Sequence, residues 1–200
     1  GITVPPPTVS APTLSVAAVG DSTAVLRSGI FTGPLTNGGN HSGTIAVAGQ
    51  TDTWTFSATQ GQYLLVAIGE ISGSTNFTPW IQLKDPNGTL IGNTWNVAAA
   101  QIGVAAPATG TYTVLVASND VSHNATGTYQ LMAAPLQGNF VVSPGDEGGA
   151  MTKGANHAGT TTVGGTDLWS WNANPGDRLR VGRVAVQRYT DSPPWSNVVA

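Results

Sequence analysis

Within fourteen residues the chain places His41, Asp52 and Trp54, residue types that a hydrolytic or cation-binding centre draws on. A histidine oriented by a carboxylate can serve as general base for a nearby nucleophile. An aspartate just before a strand can supply an oxygen ligand for calcium. The same three types return as His157, Asp167 and Trp169, within NHSGTIAVAGQTDTWTF and NHAGTTTVGGTDLWSW. Asp52 and Asp167 are therefore the two calcium candidates. A position that repeats with its whole strand is better explained by a shared fold than by catalysis. No nucleophile-elbow motif accompanies any of the three histidines, His41, His123 and His157. Asp52 and Asp167 read first as turn caps that bond nearby backbone N–H groups, with calcium second. The chain holds eight Asp and two Glu, mostly inside turn signals, and no pair is singled out for glycoside hydrolysis. The expectation is a chain without catalytic residues.

The elements that carry these residues form a repeat. Aligning Thr51 with Thr166 also matches Ala58 with Ala173, Gly61 with Gly176, and further on Pro79-Trp80 with Pro194-Trp195. An offset of 115 residues is too long for a solenoid unit and suits a small all-β domain.

Composition narrows the class. Charged residues make up 8% of the chain, against roughly 25% for an ordinary soluble domain. Yet 40% is hydrophobic, with six Trp, enough to build a core. Thr, Ser, Asn, Gln and Gly carry the polar share, as in secreted β-proteins, and so uncharged a surface opposes self-association only weakly. Seven basic residues and a net charge of −3 exclude a broad phosphate-binding face, so no nucleic-acid partner is expected. With no cysteine, packing, metal or assembly must replace disulfides, and thiolate zinc sites are excluded. No apolar run approaches the roughly 20 residues of a membrane helix.

Four segments are expected. Residues 1–39 form a Pro-rich N-terminal arm with a short strand or hairpin, in which Leu14, Val16, Val19, Val25 and Leu26 have strand character. Residues 40–134 form a first β-sandwich, 135–155 a Gly/Pro-rich connector, and 156–200 the N-terminal half of a second sandwich. In the first module Trp54 and Phe56 alternate inward, and Tyr63–Ile68 is a continuous apolar strand suited to a central place. Ile81 and Leu83 oppose Trp80, Gln82 and Lys84, and Asp85-Pro86-Asn87-Gly88 turns a hairpin. Tyr112, after Thr109-Gly110-Thr111, fits a tyrosine corner. About eight strands with turns every 8–12 residues predict an all-β fold of tandem antiparallel sandwiches, jelly-roll or Ig-like, the second incomplete. Missing strands would then come from further residues or from another chain, with the N-terminal strand as donor. Trp54, Trp169 and Trp171 are expected in cores. Trp80 and Trp195 suit a rim, and Trp95, between asparagines, is the expected exposed ligand contact.

Taken in order, TDTWTF, the Gly61-Gln62 turn, DPNGTLI, and APATGTYTVLV followed by GTYQL resemble the bacterial pre-peptidase C-terminal domain. The resemblance covers about residues 40–134 fully and 156–200 in part. It implies a non-catalytic β-sandwich of secreted proteins, carried beside peptidases or repeated in surface proteins, some relatives binding calcium or a polymer such as collagen. The acidic calcium cluster of those relatives has no clear counterpart here, Asp146-Glu147 being the only adjacent acidic pair. The expected function is an extracellular structural or adhesive repeat of a surface protein or fibre, self-associating by strand complementation. The alternative is a substrate- or polymer-binding accessory domain of a secreted peptidase.

Overall fold

Strict alternation decides which face of each strand turns inward, and the fold follows from stacking those faces. A computed structural model describes residues 32–181 apart from 123, 138, 175 and 179. The strand candidates Leu14, Val16, Val19, Val25 and Leu26, together with His123, Arg183, Arg188 and Trp195, lie outside the described residues.

The described residues contain eleven strands and no helix: β1 Thr32–Pro34, β2 Asn40–Ile45, β3 Asp52–Ala58, β4 Tyr63–Gly73, β5 Pro79–Lys84, β6 Leu90–Trp95, β7 Ala99–Ala105, β8 Gly110–Ser118, β9 Gly127–Pro135, β10 Gly148–Ala150 and β11 Leu168–Ser170. Two sheets face each other, one ordered β1-β3-β8-β5-β6 and the other β2-β9-β4-β7. Their inner faces supply one core: Trp54 and Phe56 from β3, Ile81 and Leu83 from β5, Val114 and Val116 from β8, Leu64, Val66 and Ile68 from β4, and Tyr129 and Leu131 from β9. The apolar strand β4 is central, between β9 and β7. Tyr112 donates its hydroxyl proton to the Ala108 carbonyl at 2.5 Å, so the tyrosine corner is present. The Asp85 carboxylate accepts the backbone N–H groups of Asn87 and Thr89 and shapes the turn between β5 and β6.

Two pairings depart from an all-antiparallel arrangement. Strand β1 runs parallel to β3, with Gly33 opposite Trp54. Strand β2 between them belongs to the other sheet, so the chain crosses over and returns in the same direction. The first sandwich thereby takes in Thr32–Pro34, residues that the sequence alone places in the arm. Strand β10 pairs parallel with β11 in the same way, with Gly149 opposite Trp169.

The outer face of the four-stranded sheet is also apolar. Leu65, Ala67, Met132 and Ala134 form a second buried cluster, against which Leu136 and Leu168 pack. Strand β4 thus reads as a continuous apolar run because both its faces are covered. The cover is tight: a Cβ on Gly69 of β4 would lie 2.5 Å from the Gly164 carbonyl oxygen. Only a residue without a side chain lets the two backbones meet there.

Candidate functional site

The suspected catalytic or metal-binding motif around Asp52 is a buried hydrogen-bond network. Trp54 points into the core from β3 and donates its indole N–H to the Tyr129 hydroxyl at 2.9 Å. Tyr129, on β9 of the facing sheet, donates in turn to Asp52 Oδ2 at 2.6 Å. Gln50 Nε2 donates to Asp52 Oδ1 at 2.7 Å and to the Thr44 carbonyl, while its Oε1 accepts the N–H groups of Ala46 and Val47. Asp52 is wholly buried, and charge-assisted bonds to both oxygens offset the cost of burying it. Burial, and then the bond to Asp52, raise the Tyr129 pKa above its ordinary value, so the phenol stays a donor. Tyr129 fits because β2 offers Gly43 opposite it, where a Cβ would overlap the phenol ring. Through Tyr129 the Asp52 side chain joins the two sheets, a role that the turn-cap expectation did not include.

His41 lies beside this network with its ring 5.7 Å from that of Trp54. Its Nε2 accepts the Thr36 N–H at 2.9 Å, and burial lowers its pKa. A ring used as acceptor by the backbone and packed on an indole fixes the approach to β2.

The second copy reproduces this geometry. His157 Nε2 accepts the Thr152 N–H at 2.9 Å, and its ring lies 5.3 Å from that of Trp169. The carboxylate environment differs. Gly165 stands where the first copy has Gln50, and Asp167 faces Asp146 and Glu147. Burial first, and then these two charges, raise the Asp167 pKa to about 6. Among the described residues, Asp167 Oδ1 and Glu147 Oε2 are buried without a hydrogen-bond partner. Also among the described residues, no three His, Cys, Asp or Glu side chains are grouped so as to hold a metal ion. Trp169 is half-buried and Trp171 is 37% exposed, against the expectation that both lie in a core. Among the described residues β10 alone pairs with β11.

Asn40 ties the two copies together. Its Nδ2 donates to Asp146 Oδ2 at 2.5 Å and to the Thr166 carbonyl at 3.1 Å, and its backbone N–H donates to Ser143 Oγ at 2.9 Å. The sequence exposes this residue only as half of the repeated Asn-His pair. Gln50 and Tyr129 escape a search for chemistry because neither is a conventional ligand or base. Their signal is position: Gln50 stands two residues before Asp52, and Tyr129 in the GTYQL that follows the tyrosine corner.

Trp95 ends β6 opposite Trp80 of β5 and is 54% exposed, on a strand and not in the loop its neighbours suggest. Trp80 is half-buried, and its indole N–H donates to Asn93 Oδ1 at 2.6 Å. A cavity of about 260 Å³ opens beside Trp80, lined also by Ile45, Gln50, Thr51, Ser118 and Asn119.

No curated protein matches the chain. Among solved structures, the pre-peptidase C-terminal domain of collagenase from Bacillus anthracis is similar at 17% identity, over 51% of this chain and 93% of that one, with a TM-score of 0.39. PliG of Aeromonas hydrophila, a periplasmic inhibitor of g-type lysozyme, is similar at 21% identity, over 52% and 96%, with a TM-score of 0.39. CorA, a surface-associated copper-binding protein of Methylomicrobium album BG8, shows 8% identity over 52% and 98%, with a TM-score of 0.38. The family model of the bacterial pre-peptidase C-terminal domain matches residues 50–118, which run from Gln50 of the buried network to the end of β8.

Proposed function

We propose that the chain is a non-catalytic structural or adhesive stretch of a secreted surface protein or fibre, built from modules that pack on one another. The observation that carries this reading is the docking of the second copy on the first. Leu168 joins the apolar outer face of β4 and β9, Gly164 meets Gly69, and Asn40 bonds Asp146 and Thr166. Such packing fixes the angle between successive units, as a stiff extended protein requires. Assembly between neighbours has a place in this scheme. Strand β3 is flanked by β1 and β8, whereas among the described residues β11 has β10 alone. A strand from a neighbouring copy, with Leu14, Val16, Val19, Val25 and Leu26 as its apolar side chains, would fill the place that β8 takes beside β3. Among the described residues no helix is long and apolar enough to cross a membrane.

Sedimentation velocity over a range of concentrations, followed by negative-stain electron microscopy, tests this reading. Linear assemblies are expected, and they should disappear when Leu14, Val16 and Val19 are changed to Ser. Monomers at every concentration, with no filaments, would overturn it. The second reading is a substrate- or polymer-binding accessory domain of a secreted peptidase, with Trp95 as a contact. The family match at residues 50–118 favours it. A peptidase domain encoded beside the chain would support this reading, and further copies of the module would support the first.

A further inference from the structure

We propose that the Trp80–Trp95 corner of the first sandwich binds a neutral glycan. The proposal is independent of the assembly reading. It starts from the register of β5 and β6, which sets Trp80 opposite Trp95 and Gln82 opposite Asn93. Directly opposed side chains on one face of an antiparallel pair are neighbours, with Cβ atoms about 4.5–5.5 Å apart, so two indoles and two amides share one face. Asn93 accepts the Trp80 indole N–H and holds that ring in place before any ligand arrives. Trp95, more than half exposed, presents the second ring to solvent.

The adjoining cavity supplies the other half of the chemistry. Its volume of about 260 Å³ is below the roughly 300–1,000 Å³ of a drug-sized site, so it accepts a group the size of one ring. Trp80 and Ile45 give it apolar walls. Thr51, Ser118 and Asn119 place hydroxyl and amide groups around them, and no lining residue is charged. The nearby Asp120 carboxylate is occupied by the N–H groups of Asn124 and Ala125. With no basic residue in the lining, an anionic ligand would find no counter-charge here. A sugar ring has one face of C–H groups for an indole plane and a rim of hydroxyls for amides and hydroxyls. One sugar in the cavity against Trp80, with the next on Trp95, uses every feature of the corner. A proline-rich peptide would also use the indoles, but not the ring-sized cavity with its polar rim.

Affinity electrophoresis of the full chain tests this, in gels containing hydroxyethylcellulose, xyloglucan or dextran, with gelatin and polygalacturonate in parallel gels. Retardation by at least one neutral polysaccharide is expected. Trp95→Ala should weaken it about tenfold with the thermal midpoint unchanged, while Val121→Ala at a fully exposed loop position leaves it intact. Asn93→Ala, which frees the Trp80 ring, should weaken it less. No retardation by any neutral polymer, retardation by gelatin or polygalacturonate alone, or undiminished binding by Trp95→Ala would overturn the proposal.

Discussion

The two copies of the Asn-His…Thr-Asp-x-Trp segment share a backbone geometry but differ in what surrounds the aspartate. Both place a threonine N–H on the histidine ring and that ring against the tryptophan. Both pair a short parallel strand with the strand that carries the tryptophan. In the first copy, Gln50 and Tyr129 donate to Asp52. In the second, Gly165 replaces Gln50, and Asp146 and Glu147 crowd Asp167. The local motif thus encodes a turn and a ring contact. The carboxylate's neighbours come from elsewhere in the chain, Tyr129 of β9 for Asp52 and Asp146 and Glu147 for Asp167.

The largest break in this comparison should come from Tyr129→Phe. It removes the hydroxyl that links the Trp54 N–H to Asp52 across the core, at a cost of about 3 kcal/mol to the first sandwich. Urea unfolding reads this, and a cost below about 1 kcal/mol would mean that the network contributes little. A matched pair comes next. Asp52→Asn replaces an acceptor oxygen by a donor facing Gln50 or Tyr129 and should cost about 2 kcal/mol. Asp167→Asn, which relieves repulsion, should cost nothing at pH 7. Equal losses at both positions would dissolve the contrast.

The pH response sharpens the same point. Asp167 titrates at about 6 when folded, against an ordinary 3.8. The folded form therefore favours the protonated acid. That contribution is complete below pH 3.8 and is lost as pH rises through about 6. Protection of residues 146–170 from proteolysis should fall across this window at constant ionic strength, and Asp167→Asn should flatten the curve. A protection that rises with pH would contradict the assignment. The smallest effect is expected at the tyrosine corner. Tyr112→Phe removes one bond to the Ala108 carbonyl and should lower stability by about 1 kcal/mol.

Most of the first sandwich was legible in the sequence because its signals are local. The alternation at Trp54 and Phe56, the Asp-Pro-Asn-Gly turn and the apolar run at Tyr63–Ile68 each specify a strand or turn without reference to the rest of the chain. What escaped was non-local. Strand β1 has three residues, and its pairing with β3 depends on a crossover. Asp52 follows a turn in sequence, yet its partner Tyr129 lies 77 residues away. The burial expected of Trp169 and Trp171 rested on strand alternation, but β11 ends at Ser170, before Trp171. Alternation alone also could not show that the outer face of β4 is covered, since the cover arrives about 100 residues later as Gly164 and Leu168.

The central claim, that the second copy docks on the outer face of the first sandwich, is tested most directly by methyl–methyl nuclear Overhauser contacts. Leu168 should show cross-peaks to Leu65 and Met132, and Gly69→Ala, whose Cβ would meet Gly164, should remove them while leaving the contacts of the inner core intact. A Leu168 methyl at its random-coil shift with no cross-peak to either residue in the unaltered chain would contradict the account.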